Sequence, residues 1–339
     1  MRPKISIYIS CLFLCSLMGG CLAEKDTNTS STASGNNDII TSNEDAMDRA
    51  SSIPAVPMEA EIDTACPEGF QAKLEAGQHG DYPAADQMRS FLLHLPDTSA
   101  HEGPRPLMIF FNGTSGNGEK AYTSYNGPDF LDAGFIVLAP DSAGNGTIWP
   151  VWDGARADDE MDLPNADLSF VDSLLECLSA HHEVDQNRIY AAGHSAGGIM
   201  TNHVLQRYSH LLAGGIVSSG LFDFTSPIPA IPLEPMAVAV VWGGDNDIWG
   251  GEADKGDVEV PEFNFAEQAS LSSAFYDENE KVQQIWVRGN DIGHAWNQGA
   301  GALFIDFLLA HPKGFTDMEA WTLPEPGEDA TYTAGQNAA

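Results

Sequence analysis

Seven short runs of β-branched, aromatic and small apolar residues recur along the chain, at 90–95, 106–111, 135–139, 188–192, 213–217, 237–242 and 282–287. Several are apolar at successive rather than alternate positions, as strands covered on both faces must be. Helical spacing stands between them. Leu168, Val171, Leu174, Leu175 and Leu178 form one apolar stripe, a second follows Ser195, and a third covers 302–309. Strand–helix alternation of this kind predicts an α/β fold, a mostly parallel doubly wound sheet flanked by helices. Such a sheet gathers its functional residues at the C-terminal ends of its strands.

The ends of the chain read differently. Arg2 and Lys4 precede an apolar run over 5–17, too short to span a bilayer and suited to an export signal. Met18-Gly19-Gly20-Cys21 follows, and small residues directly before a cysteine resemble the lipobox of bacterial lipoproteins. The expectation is a signal peptide over 1–20, with Cys21 lipidated at the mature N-terminus; an ordinary cleaved signal is the alternative. Residues 21–60, rich in Thr, Ser, Asn, Asp and Ala, read as a flexible tether. A catalytic domain is expected over 61–321 and a disordered tail over 322–339. Beyond the signal and Cys21, only Cys66 and Cys177 remain, an even pair that reads as one disulfide in an exported protein. With 15 Lys+Arg against 49 Asp+Glu, the net charge of −34 argues against nucleic acid as a partner. Contact with a membrane is expected through the anchor at Cys21 alone.

The stretch from Arg188 to Gly198 carries the chemistry. A strand runs into Gly193-His194-Ser195-Ala196-Gly197, then into a helical pattern. A sharp strand-to-helix turn strains the backbone at the serine and requires tiny residues two places either side. The helix that follows aims its N-terminal amides and dipole at the hydroxyl. Ser195 is therefore the candidate nucleophile; the competing reading is a tight turn with a spectator serine.

A serine nucleophile needs a base. Among the histidines after Ser195, His203 and His210 are expected on the helix leaving it, and His311 ends the last helix. His294 alone sits in a glycine-flanked loop past the last strand, free to reach back. The acid that orients such a histidine is expected after the strand at 237–242, where Asp245 and Asp247 both qualify. The same acids, with Asn246, Glu252 and Asp254, also suggest a calcium loop, although the spacing does not fit the EF-hand pattern. For the oxyanion hole, the amides of Thr114 and Ala196 are assigned. Thr114 lies in the glycine-rich turn after the strand at 106–111. That turn lacks the Gly-Lys-Ser/Thr of a phosphate loop.

At these residues the chain resembles the α/β-hydrolase superfamily, and within it the secreted polyhydroxybutyrate depolymerase and feruloyl esterase family. The resemblance spans about 66–311. It is carried by Gly193–Gly198, by Asp167-Leu168-Ser169-Phe170, by Gly244-Asp245-Asn246-Asp247 and by Gly293-His294-Ala295-Trp296. It implies the α/β-hydrolase fold, a Ser195–His294–Asp247 triad with Asp247 rather than Asp245 as its acid, and no cofactor or metal. Asn112, Thr114 and Trp249 depart from the family pattern at positions that bear on substrate preference. Of the tryptophans near the strand ends, Trp149 and Trp296 are expected to stack on substrate. The expected activity is hydrolysis of a carboxylic ester, either a polyester or an acylated polysaccharide. A serine peptidase on the same fold and a non-catalytic polymer- or sugar-binding lipoprotein are the rivals.

Overall fold

A computed structural model describes residues 65–67, 70, 74–97, 99, 103–143, 149, 166–222, 233–251, 262–315 and 321–336. The expected signal, Cys21 and the whole of the expected tether fall outside these residues. The chain divides into two units. One joins Met1–Met58 to Gly250–Phe263, and only residues 250, 251, 262 and 263 of it are described. The other, Glu59–Trp249 with Asn264–Ala339, holds the large sheet, the helices around it and the candidate site.

Nine strands build that sheet among the described residues: β1 (Gly77–Ala84), β2 (Gln87–His94), β3 (Arg105–Phe111), β4 (Ile136–Pro140), β5 (Val184–His194), β6 (Gly214–Ser218), β7 (Met236–Trp242), β8 (Val282–Gly289) and β9 (Tyr332–Gln336). Their spatial order is β1-β2-β4-β3-β5-β6-β7-β8-β9. From β4 through β3 to β8 all neighbours are parallel; β1, β2 and β9 are antiparallel additions at the two edges. The central strands are buried almost throughout, β4 and β6 at every position, which is why they read as continuous apolar runs.

Among the described residues, six helices flank the sheet: α1 (Gly118–Ser124), α2 (Gly127–Asp132), α3 (Ala166–His181), α4 (Ala196–Arg207), α5 (Phe265–Asp277) and α6 (Gly301–Ala310). Alternation along the strands sorts them into two layers. Met108, Phe110, Ile216 and Ile285 share a core with Ala121 of α1, Phe130 of α2 and Leu303, Phe304 and Phe307 of α6. The residues that point the other way meet the other three helices. Phe91 contacts Phe170 of α3, a Cβ at Gly215 would meet Leu205 of α4, and Gln284 donates to Ser273 of α5. The predicted stripe on α3 is buried at Leu168, Val171, Leu174 and Leu178. Asp167, one residue earlier, is buried against Arg89, whose guanidinium lies 4.3 Å over the Phe170 ring. Cys66 and Cys177 are joined, stapling the segment before β1 to α3.

Two expectations fail. The tail expected to be disordered contains β9, which pairs with β8 from Ile285↔Gln336 to Gly289↔Tyr332. Tyr332 and Ala334 pack on the core, and a Cβ at Gly335 would stand 2.3 Å from the Trp286 ring. The edge of β8 offers unpaired backbone groups, and a polar, glycine-containing strand suffices to satisfy them. His210 lies past the end of α4, which stops at Arg207. Among the described residues, no helix is long and apolar enough to cross a membrane.

Candidate active site

β5 delivers Ser195 to the first turn of α4 with φ 59° and ψ −123°, a conformation that a non-glycine residue adopts only when its surroundings impose it. The surroundings are backbone. A Cβ at Gly193 would lie 2.3 Å from the carbonyl oxygen of Gly197, and one at Gly197 would lie 1.9 Å from that of Phe111. The two glycines of the motif are thus a steric requirement. The Ser195 amide donates to the Ser218 carbonyl on β6 at 2.9 Å, which fixes the turn to the sheet.

Two further strand ends bring their side chains to the same place. After β8, Gly293 adopts φ +70°, and His294 turns back so that its Nε2 stands 2.9 Å from Ser195 Oγ. After β7, Asp247 places Oδ1 2.8 Å from His294 Nδ1. Asp247 is fully buried. Its Oδ2 accepts from the Ser219 hydroxyl at 2.6 Å and the Gly243 amide at 2.8 Å. Two donors thus meet Oδ2 and the imidazole meets Oδ1. Asp245, two residues earlier, is 82% exposed and pairs with Arg288 at 3.1 Å. The loops carrying Asp247 and His294 are in backbone contact, since a Cβ at Gly243 would be 1.8 Å from the Gly293 carbonyl oxygen.

Among the described residues, Phe265 and His194 set their rings beside the imidazole. Phe265 stacks on it with centroids 4.3 Å apart, and the His194 ring is 4.6 Å away. His194 also lies 3.0 Å from the Ser218 hydroxyl through Nδ1. Burial, reinforced by electrostatic interaction with the neighbouring His294 ring, pushes its imidazole down to about 3, so it is neutral at ordinary pH.

Ser195 and His294 open onto a cavity of about 360 Å³. Thr114 stands exposed on its wall, and Ala196 begins α4 beside it. Among the described residues, neither of these two amides meets an acceptor. The Gly113 amide is already committed, donating to the Tyr125 hydroxyl at 3.0 Å. Burial pushes that phenol up to about 12. Trp296 lines the cavity, stacks on Tyr125 at 4.9 Å and donates from Nε1 to Asn126. Trp249 lines it too, as do Asn112 and Thr114, so all three departures from the family pattern face one space. Trp149 does not line it. It is 2% exposed, and its Nε1 donates to the Asn112 carbonyl at 2.7 Å. The expectation of Trp149 as a stacking wall is corrected: it braces the loop after β3 from behind. The Glu252 and Asp254 of the suggested calcium loop lie outside the described residues.

Ser219, Tyr125, Phe265 and His194 escaped the reading of the sequence. Only His194 had a signal, its place beside the serine. The others reach the site from separate elements and carry no local motif.

Comparison with known proteins bears on the fold and on the class of reaction. A model of the prolyl oligopeptidase family matches residues 122–230, about a third of the chain. An oxidized polyvinyl alcohol hydrolase of Sphingopyxis sp. (strain 113P3) is 25% identical over 337 residues, covering 82% of this chain and 90% of that one. Feruloyl esterase B of Thermothelomyces thermophilus is 25% identical over 148 residues, 43% of this chain and 48% of its own. The crystal structure of native sOPH superposes with a TM-score of 0.64 at 22% identity, covering 80% of this chain and 96% of that one. The chain is an esterase-like α/β-hydrolase. In this hydrolase the strand order places β5, β7 and β8 so that their C-terminal ends converge on one cavity.

Proposed function

We propose that this carboxylic ester hydrolase works through Ser195, His294 and Asp247 on an acyl group carried by a polymer, either a polyester or an acylated polysaccharide. His294 takes the proton of Ser195 as the hydroxyl attacks the ester carbonyl. The amides of Thr114 and Ala196 hold the oxyanion, and Asp247 stabilises the imidazolium. His294 returns the proton to the leaving alcohol, then activates the water that releases the acyl group from Ser195. Trp296 and Trp249 form the walls against which the substrate packs. The protein acts outside the cytoplasm, anchored through a lipid on Cys21 or, failing that, secreted.

The observation that carries the reading is the unbroken line of hydrogen bonds from Asp247 through His294 to Ser195, ending at a cavity. The polymeric substrate is supported by the names of two relatives, an oxidized polyvinyl alcohol hydrolase and an acetylxylan esterase. The test compares the protein and its Ser195→Ala variant on p-nitrophenyl acetate and butyrate, then on feruloylated and acetylated xylan and a polyester. Turnover should fall by three or more orders of magnitude in the variant, to about the residual level that binding and the oxyanion site sustain. Equal rates would remove Ser195 as the nucleophile. The prolyl oligopeptidase match favours a second reading, a peptidase using the same three residues. Cleavage of peptidyl p-nitroanilides in preference to esters would establish it.

A further inference from the structure

His294 stands in a stretch without regular structure between β8 and the short 3-10 turn Gln298–Ala300. Its Nδ1 contact with Asp247 fixes one atom of the ring. The ring can still pivot about that contact, and such a pivot carries Nε2 away from Ser195. Two other rings oppose the motion. Phe265 lies against the imidazole with planes 20° apart, and His194 with planes 37° apart.

Phe265 is buried and does not line the cavity, so a substrate does not touch it. Its own placement is rigid. It is the first residue of α5, whose N-cap Asn264 accepts from the amides of Ala266 and Glu267. Its amide donates to the Asp247 carbonyl at 2.9 Å. One residue thus holds the acid through its backbone and the base through its ring. His194 is tied down separately, by the strand it ends and by its contact with Ser218.

We propose that Phe265 is a positioning residue for His294, clamping the imidazole together with His194 so that Nε2 stays aimed at Ser195. The inference rests on the hydrolytic reading above. A flat ring blocks rotation of a stacked imidazole, and its face attracts the imidazolium formed during the reaction. A branched aliphatic side chain of similar volume fills the space without supplying either effect.

The test uses the full chain with Phe265→Leu, Phe265→Tyr and Ser195→Ala. Values of kcat and KM are measured separately on p-nitrophenyl butyrate, and the His294 ring protons are followed by NMR. Phe265→Leu should lower kcat about tenfold with KM within about twofold of wild type, because productive alignment is lost while the cavity is untouched. Phe265→Tyr, which keeps the ring, should restore most of the rate. The His294 ring protons lie over an aromatic face and should lose their ring-current shift in the Leu variant alone. Thermal denaturation checks that each variant folds, and Phe265→Met replaces the Leu variant if that one does not. Unchanged kcat in Phe265→Leu, an equal loss in Phe265→Tyr, or unmoved His294 signals would overturn the clamp. If Ser195→Ala keeps the wild-type rate, the hydrolytic reading fails instead, and the NMR comparison still decides whether Phe265 holds the ring.

Discussion

Replacing Asp247 by Asn changes one atom and poses a problem that the geometry solves in only one way. At Oδ2 the carboxylate accepts from the Gly243 amide and the Ser219 hydroxyl. The hydroxyl can turn; the backbone N–H cannot. Placing the new NH2 group there sets donor against donor in a fully buried position and leaves Gly243 unsatisfied, at about 1–3 kcal/mol or more. The amide oxygen therefore takes the Oδ2 position, and the NH2 group faces His294 Nδ1. The imidazole must then present a lone pair at Nδ1 and carry its proton on Nε2, the atom 2.9 Å from Ser195 Oγ. A histidine in that tautomer cannot accept the serine proton. Loss of the base by tautomer inversion is worth about 10⁴-fold in kcat, or about 5 kcal/mol of barrier. The assay is p-nitrophenyl butyrate hydrolysis at pH 7–8, with KM measured alongside and the imidazole tautomer read from nitrogen NMR. Asp245→Asn serves as the control and should stay within about twofold of wild type, because Asp245 is 82% exposed and its ion pair with Arg288 is worth little. An Asp247→Asn enzyme that keeps a tenth of the wild-type kcat, or an Asp245→Asn enzyme that loses it, would refute the reasoning.

Three other outcomes follow from the same contacts. Gly197→Ala pushes a methyl group to 1.9 Å from the Phe111 carbonyl oxygen; a clash with backbone on both sides cannot relax locally, and soluble yield and melting temperature should fall with a loss of about 3 kcal/mol or more. The Cys66–Cys177 bridge closes a separation of 111 residues, so reducing it should lower the urea midpoint by the equivalent of about 4–5 kcal/mol in the chain-entropy picture. His194 stays neutral in the folded protein down to about 3, whereas in the unfolded chain it takes a proton near 6.5. Stability tied to His194 is therefore present above about pH 6.5 and drains away as pH falls toward 3, by at most about 1.4 kcal/mol per unit. His194→Gln should flatten that slope in urea melts at pH 7, 5 and 4, and a parallel slope in the variant would count against it.

All seven strands expected from apolar runs lie in the nine-stranded sheet, and its two other strands, which were not expected, are its edges. β1 reads Gly-Gln-His-Gly-Asp-Tyr-Pro-Ala and β9 reads Tyr-Thr-Ala-Gly-Gln. A central strand is covered on both faces and must advertise itself in apolar residues. An edge strand needs only a free row of backbone donors and acceptors beside it, and that row belongs to a neighbour far away in the sequence. The same division runs through the site. The strand, the glycines and the serine of the turn are legible locally, because a sharp strand-to-helix turn brings Gly193 against the Gly197 carbonyl, although the close approach at Gly197 itself is to Phe111 of β3.

Which aspartate meets His294 is a different kind of fact. Asp245 and Asp247 are two residues apart in one loop, and what separates them is that one turns inward to Gly243 and Ser219 while the other turns out to Arg288. Trp149 and Trp296 likewise read alike from composition and neighbours. Only the packed molecule assigns one to the cavity wall and the other to the back of a loop. Phe265 has no chemical signature at all; its place on the imidazole exists because α5 begins where the acid loop ends in space. The α/β alternation and the strained turn at Ser195 can be read from neighbouring residues. How His294 and Asp247 come to meet that serine is a tertiary fact: each has a local mark, a glycine-flanked loop and a Gly-x-x-Asp turn, but contacts across 47 and 99 residues are set by how the sheet closes.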